Sequence, residues 1–391
     1  PAHVGQVAER QTGRPRGASV KHAGQRLTGC LLGTMRLGPP RHPKRVVDLI
    51  NPAAALAPAA NVIMQLALPG VFDRSAPRAA GLALGYLADV CWADPRRGHP
   101  VALFGTAAAA LERRTYSDNR LAGAAHTAAL LVGLGALGLG LERVARGPVA
   151  KTLVTAAATY TVLGGTSLAR TGADMAARLE RGDVAAAREL LPSLCGRDPS
   201  ALDADGLARA ALESVAENTS DAQVAPILWG AVAGVPGLLV YRGANTLDAM
   251  IGHLNPRYTR FGWAAARFDD VLNYLPARVT GLCVMAASRR PAAAWRAWRA
   301  DAHKHPSPNA GVAEASFAGA LGVRLGGATQ YAHRLEMRPT LGAGPAPVPA
   351  DLRHAVRLTR RVQALATVVA VGLSGAGRSG RRASARSSPR R

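Results

Sequence analysis

The run AGAAHTAALLVGLGALGLGLE, residues 122–142, decides how the rest of this 391-residue chain is read. Its interior carries one ionisable side chain, His126, and its length meets the roughly 20 residues an α-helix needs to cross a bilayer. A second run, VAKTLVTAAATYTVLGGTSLA (149–169), has Lys151 near one end, where a long stem carries the ammonium to the interface. A third, VAPILWGAVAGVPGLLVY (224–241), contains Pro236, which a packed membrane helix tolerates. Shorter apolar segments follow at 278–287 and 362–373. Gly and Pro break the helical patterns between them, and β-branched alternation is scarce. The expectation is an all-α, polytopic integral membrane protein of three to five spans, with amphipathic helices and polar loops between spans. A soluble helical protein that buries these runs is the competing architecture.

Composition agrees with close helix packing: 48% of residues are apolar, only 4% are aromatic, and small side chains let backbones approach. The formal charge of +23 suggests nucleic acid until it is located. Residues 1–47 carry nine Lys/Arg and one acid, and residues 376–391 carry six Arg and no acid, so the two tails supply fourteen of the charges. Neither tail interleaves aromatics or shows helical periodicity, so no nucleic-acid partner is expected. Residues 1–78 read as a basic leader, disordered or non-native, and 79–375 as the functional domain. Residues 376–391 read as an Arg/Ser-rich disordered tail. The segment NVIMQLALPGVF (61–72) is too short to span. The remaining positive charge suits loops on the cytoplasmic face of a multi-pass cell-membrane protein. Cys30, Cys91, Cys195 and Cys283 form no CxxC pair, which argues against a zinc site and a disulfide framework and places the chain in a reducing compartment.

Chemistry concentrates in residues 207–274. In LARAALESVAENTSD, Glu213, Glu217 and Asp221 recur every four residues, so continued helix sets three carboxylates on one face with Asn218 beside them. Like charges at that spacing repel. Mg²⁺ held by Glu217, Asp221 and Asp248 is the functional reading, because hard oxygen ligands suit that ion. A solvated helix face is the bland one. Further on, Asn245 and Asp248 lie one turn apart, Arg257 and Arg260 follow a turn at Asn255–Pro256, and Asp269 and Asp270 head a helix that Pro276 bends or ends. The arginines suit phosphate oxygens, a lipid headgroup or surface ion pairs. In HKHPSPNAGVAEASFAGALGVRLGG (303–327), two prolines keep the chain extended around Ser307, and Asn309 and Gly311 turn into a helix bearing Glu314. His303 and His305, two positions apart, share no helix face, so metal ligation is disfavoured. The glycines of GALGVRLGG lack the GxxxxGK[ST] pattern of a phosphate loop.

Five colinear blocks bear on identity: GYLADVCWADPRRGHPVALFG, SLARTGADMAARLERGDVAAARELLPSLCGRD, ALDADGLARAALESVAENTSDAQVAPILWG, NTLDAMIGHLNPRYTRFGWAAARFDDVLNYLPAR and HPSPNAGVAEASFAGALGVRLGG. Together, over about residues 80–374, they resemble the CobD/CbiB family of cobalamin biosynthesis. The chain departs from the family pattern at Pro199 of GRDP, at Ala313 before Glu314, and in SDAQVAP, without losing a carboxylate or the HPSPN core. The resemblance implies an integral membrane enzyme, adenosylcobinamide-phosphate synthase. It would join a carboxylate of adenosylcobyric acid to (R)-1-aminopropan-2-ol or its O-phosphate, using ATP and Mg²⁺.

That chemistry assigns catalytic or metal roles to Glu213, Glu217, Asp221, Asp248, Asp269 and Asp270. It assigns substrate binding to Asn218, Asn245, Arg257, Arg260, His305, Ser307, Asn309 and Glu314, with Arg170 and Arg197 as further phosphate clamps. His126 and His305 are expected to be hydrogen-bonded rather than bound to the corrin cobalt. Membrane lipid and other corrinoid-pathway membrane enzymes are the implied partners. The competing function is a non-enzymatic transporter subunit or a scaffold for corrinoid enzymes, because polar residues within a membrane also mark transport paths.

Overall fold

The computed structural model describes residues 75–95, 98–331 and 334–376. The leader up to residue 74, the segment 61–72 and the Arg-rich tail beyond 376 lie outside the described residues. The first helix, α1, already runs over Ser75–Trp92, so the last residues assigned to the leader belong to the folded unit. Helix α2 (Pro100–Thr115) starts with proline at its first position and with the His99 ring accepting the Val101 N–H. Asn119 caps α3 (Arg120–Val144) by accepting from Ala122. Then come α4 (Gly147–Val162), α5 (Gly165–Glu180) and α6 (Val184–Leu190).

Helix α7 (Ala204–Thr219), capped by Asp203, passes through a π turn at Ser220–Val224 into α8 (Ala225–Ile251). The short α9 (Tyr258–Phe261) precedes α10 (Trp263–Ala287), α11 (Pro291–Asp301) and α12 (Ala310–Leu321). An antiparallel hairpin of β1 (Leu325–Tyr331) and β2 (Arg334–Leu341) leads to α13 (Pro349–Ala376). The all-α expectation is therefore corrected by one two-stranded ribbon, whose register is irregular between Leu325 and Gly327. It forms where the sequence suggested only a glycine-rich loop.

Within α8 the backbone breaks at Gly234, with φ 66° and ψ −148°. Only glycine occupies that region without strain. The break reverses the chain: the Tyr241 hydroxyl donates to the Asp221 carbonyl at 3.1 Å, although twenty residues of straight helix span about 30 Å. Residues 204–233 and 235–251 thus form the two arms of a helical hairpin. The groups freed at its tip are satisfied by charged side chains. Arg78 of α1 donates to the Ala231 and Val232 carbonyls at 3.2 Å, and Glu142 near the end of α3 accepts the Val235 N–H at 3.0 Å. The expected straight span over 224–241 is corrected accordingly.

The expected span over 149–169 is also corrected. Helix α4 stops at Val162, and α5 begins after an extended Leu163 and Gly164, whose N–H donates to the Ala222 carbonyl. In α10, Asp269 and Asp270 lie inside the helix rather than at its head, and the helix continues through Pro276. Proline removes the bond that the Leu272 carbonyl would receive, and the Trp229 indole N–H supplies it at 3.0 Å. The turn at Asn309 into the Glu314 helix is as expected.

Among the described residues, two helical stretches are long and apolar enough to cross a membrane, Arg120–Val144 and Ala204–Ile251. Only 22% of the apolar window in α3 is buried, against 72% for the hairpin, so α3 shows its leucines to the surroundings. Leu84 and Leu87 of α1, Leu153 of α4, Val271 and Leu275 of α10 and Val368 of α13 are exposed as well. Inside, one core joins Leu168, Met175, Leu212, Ile227, Phe317 and Leu352, and a second joins Leu131, Tyr241, Phe261 and Phe268.

Replacing Gly234 tests the hairpin. A Cβ there would come within 2.3 Å of Glu142 Oε1, on a backbone already unsuited to alanine. Gly234→Ala is expected to cost about 2 kcal/mol or more, and Glu142→Ala, which strips a buried N–H of its acceptor, about 1–3 kcal/mol. Chemical denaturation of the purified protein in detergent measures both, and wild-type stability in both variants would refute the capped hairpin.

Candidate active site

The first polar cluster forms where α7, α12 and the β-ribbon meet. Glu213 is buried on α7. Its Oε1 accepts the Gly326 N–H at 2.7 Å, and its Oε2 meets the guanidinium of Arg197 and, at 3.4 Å, that of Arg338. Two cations and a backbone donor make this a fully compensated buried carboxylate. Arg338 also contacts His305 Nε2. His305 Nδ1 accepts the Ser307 N–H at 3.0 Å and lies 3.1 Å from the Ser307 carbonyl. Ser307 Oγ in turn accepts the Ala310 N–H at the start of α12.

Glu314, on the first turns of α12, is 1% exposed. His305 and Arg338 stand 3.5 and 3.6 Å from its Oε1, and that oxygen accepts no hydrogen bond. Burial therefore pushes its carboxyl up, to about 8; Arg338 opposes the shift, and the negative charges of Glu213 and Glu217 add to it. Two carboxylates beside the same arginine thus sit in different electrostatic states.

The second cluster lies between the hairpin arms and α10. Asn245 donates to Asp269 Oδ1 at 3.4 Å, and the Tyr241 hydroxyl reaches Asn273 Oδ1 at 2.8 Å as well as the Asp221 carbonyl. Asp248, one turn beyond Asn245, is buried against Gly252. A bridge joins the two clusters: Asn309 donates to the Asp270 carbonyl at 2.8 Å and accepts from Arg278 at 2.8 Å, while its N–H faces Ser307 Oγ.

The structure thus brings together Glu213, His305, Ser307, Asn309 and Glu314 in one network, and Asp221, Asn245 and Asp269 in another. Asn218 turns back onto Ser214 at 2.9 Å. The single acidic face expected for Glu213, Glu217 and Asp221 is corrected, because the π turn begins at Ser220 and carries Asp221 toward Tyr241 and Arg242. Among the described residues no three His, Cys, Asp or Glu side chains are grouped to hold a metal, so Glu217, Asp221 and Asp248 do not form the expected cage.

Of the expected phosphate clamps, Arg197 is spent on Glu213. Arg257 pairs with Glu112 at 2.8 Å and stacks on Tyr116, Arg260 reaches Asp118 at 3.8 Å, and Arg170 lies exposed beside the Cys91 carbonyl. His126 is hydrogen-bonded to Thr115 at 2.9 Å. Cys91, Cys195 and Cys283 are free thiols. Arg338 escaped the sequence reading, because nothing in a short strand foretells which distant carboxylates it reaches.

A helical protein with an exposed apolar belt and a buried carboxylate–guanidinium site is the class these features define. The family described as CobD/Cbib protein matches residues 82–359, and the chain belongs to it. It is 60% identical over 300 residues to the cobalamin biosynthesis protein CobD of Mycobacterium tuberculosis (strain CDC 1551 / Oshkosh), covering 76% of this chain and 96% of the relative. The CobD protein of Chromobacterium violaceum is 44% identical over 289 residues, 72% of this chain and 91% of the relative. That of Geobacter metallireducens is 39% identical over 300 residues, 73% and 93% respectively. No solved structure matches the chain.

The state of Glu314 has a pH signature. Its carboxyl titrates near 4.5 when unperturbed and near 8 in the fold, so between those values the folded chain holds a proton that the unfolded chain has lost. Stability therefore falls as pH rises through that window. Glu314→Gln is expected to flatten the decline of Tm between about pH 5 and about pH 8; an unaltered slope would place the titration elsewhere. Arg338→Met, leaving buried charge uncompensated, is expected to cost about 3 kcal/mol, measured in the same denaturation assay.

Proposed function

We propose that this chain is a multi-pass cell-membrane enzyme of cobalamin biosynthesis. In this reading it forms an amide, with ATP, between a propionate carboxylate of adenosylcobyric acid and the amine of (R)-1-aminopropan-2-ol or its O-phosphate. The observation that carries the reading is the buried network of Glu213, Arg197, Arg338, His305 and Glu314 within a member of this family. The exposed apolar side chains of α3 and of α1, α4, α10 and α13 support insertion, since such surface finds its partner in lipid. A corrinoid with an apolar face and a polar amide rim suits a groove between such helices.

Carboxylate and amine do not condense unaided in water. In the proposed sequence a carboxylate oxygen of the corrinoid attacks the γ-phosphorus of ATP, forming an acyl phosphate as ADP leaves. The amine nitrogen, having given up its extra proton, then attacks the carbonyl carbon, and inorganic phosphate departs with the C–O electron pair. Guanidinium groups stabilise the charge that develops on transferring phosphoryl and carbonyl oxygens. Arg338, 14% exposed in its side chain, is the cation of the network placed for that work. Asp221, which acts on Arg242 across the hairpin, is the candidate acceptor for the ammonium proton, and Glu217, Asp248 and Asp269 are the carboxylates offered to Mg²⁺. Mg²⁺ arrives with the nucleotide and needs only one or two protein carboxylates besides phosphate oxygens.

Membranes bearing the protein, incubated with adenosylcobyric acid, aminopropanol phosphate, ATP and Mg²⁺, are expected to yield the amide only when ATP is present. Glu217→Gln and Asp248→Asn are each expected to lower turnover by about tenfold or more. Full activity in both variants would remove these carboxylates from the site, and corrinoid binding without ATP-dependent product would favour a scaffold.

A further inference from the structure

A separate set of polar groups surrounds the start of α5. Asp89, in the last turns of α1, is fully buried. Its Oδ2 accepts the Thr166 N–H at 3.1 Å with the Thr166 side chain beside it, while its Oδ1 makes no hydrogen bond. Just beyond α1, Ala93 adopts φ 57°, a left-handed conformation rare for alanine, and its carbonyl is held by the Tyr160 hydroxyl at 2.8 Å. This turn brings the Asp94 N–H to Ser167 Oγ at 3.1 Å and sets Asp94 Oδ1 3.5 Å from His99, again without a hydrogen bond.

From the π turn come Ser220, whose Oγ is buried without a partner, and Gln223, 0% exposed, whose amide oxygen and nitrogen both lack one. Gln223 lies directly against Gly165, where a Cβ would approach its Oε1 to 2.4 Å. Arg242, from the returning arm of the hairpin, is buried between the charges of Asp94 and Asp221, and its Nε is unpartnered. Asp89, Asp94 and Gln223 thus bring unsatisfied polar atoms to one helix start, and Arg242 acts on Asp94 from the returning arm. Native interiors leave few such groups, and a concentration of them calls for an occupant.

The chemistry selects the occupant. Three carboxylates, Asp89, Asp94 and Asp221, outnumber the guanidinium of Arg242 and the more distant one of Arg170 at the rim, so the interior attracts a cation. A primary ammonium matches this acceptor set: it is compact and offers three donors. The acceptors available to it are Asp89 Oδ1, Asp94 Oδ1 and Gln223 Oε1. Arg242 Nε and Gln223 Nε2 supply donors to a neighbouring hydroxyl oxygen.

We propose that Asp89, Asp94, Gln223 and Arg242 form a binding site for a small primary amino alcohol. Taken with the ligase reading, on which this identification with a substrate rests, it is the site of the amine that becomes acylated. Arg170, exposed at the rim beside Cys91, stands where an O-phosphate on that amine would emerge.

The test uses the full chain, purified in detergent, with 1-aminopropan-2-ol, its O-phosphate, propane-1,2-diol and ATP as separate probes. The amine is expected to raise Tm and the diol, lacking the ammonium, to leave it unchanged. A further gain from the O-phosphate, lost in Arg170→Ala, would identify the phosphorylated form as the ligand. Asp89→Asn, which keeps an acceptor for Thr166, and Asp94→Asn are each expected to weaken amine binding about tenfold or more while ATP binding stays within about twofold. In turnover, the KM for the amine rises by the same factor and that for ATP does not. Asp94, at the partly exposed edge, carries the test if Asp89→Asn does not fold. Unchanged amine affinity in the variants, equal binding of the diol, or a selective loss of ATP binding overturns the proposal. Amine binding with these losses but no amide from the wild-type enzyme would instead refute the ligase reading and leave the site standing.

Discussion

The reversal at Gly234 is the constraint on which the rest of the arrangement depends. A helix that ran straight from Ala204 to Ile251 would hold Asp221 about 30 Å from Tyr241, and the acid-rich stretch would be a rod with scattered charges. Folding it back costs the hydrogen bonds of the broken turn. Arg78 and Glu142 supply those bonds with charged groups of opposite sign, one for the freed carbonyls and one for the freed N–H. Because they come from α1 and α3, the tip also fixes these helices against the hairpin. Trp229 and Pro276 repeat the device: a carbonyl orphaned by proline receives an indole N–H from the opposing helix.

With the hairpin closed, the polar residues divide by their compensation rather than by their position in the chain. Glu213 has two guanidinium groups and a backbone donor, and removing any of them would strand a charge in a nearly water-free place. Glu314, near the same Arg338, has ion-pair distances but no hydrogen bond at Oε1, and the proton is its cheaper solution. The β-ribbon matters here although it is the least helical part of the chain. It delivers both Arg338 and the Gly326 N–H, so the first cluster cannot assemble until the C-terminal third of the protein has docked.

The sequence made α3 legible because length and apolarity alone identify it, and the Asn309 turn because proline and asparagine act locally. The acid-rich stretch was equally visible, as was the family. Local cues failed where the deciding contact was distant. A hydropathy window over 224–241 sums composition and is blind to a change of direction, so Gly234 beside Pro236 read as a tolerated kink. The break after Val162 depends on Gly164 finding the Ala222 carbonyl, and the ribbon depends on Glu213 waiting for its donors. Asp89 and Asp94 stood in plain view within GYLADVCWADPRRGHP, but their meeting with Gln223 and Arg242 is set by packing of α1 and α5 on the hairpin.

The π turn explains why carboxylates four residues apart do not form one face. On a regular helix, Glu213, Glu217 and Asp221 would stack and repel, and a bound cation would be the obvious relief. A π turn at Ser220–Val224 adds a residue to the turn and rotates the helix beyond it. Glu217 keeps its charge directed toward Glu314, while Asp221 acts on Tyr241 and Arg242 across the hairpin. The repulsion is thus relieved by geometry, and one acidic stripe is divided between two polar clusters.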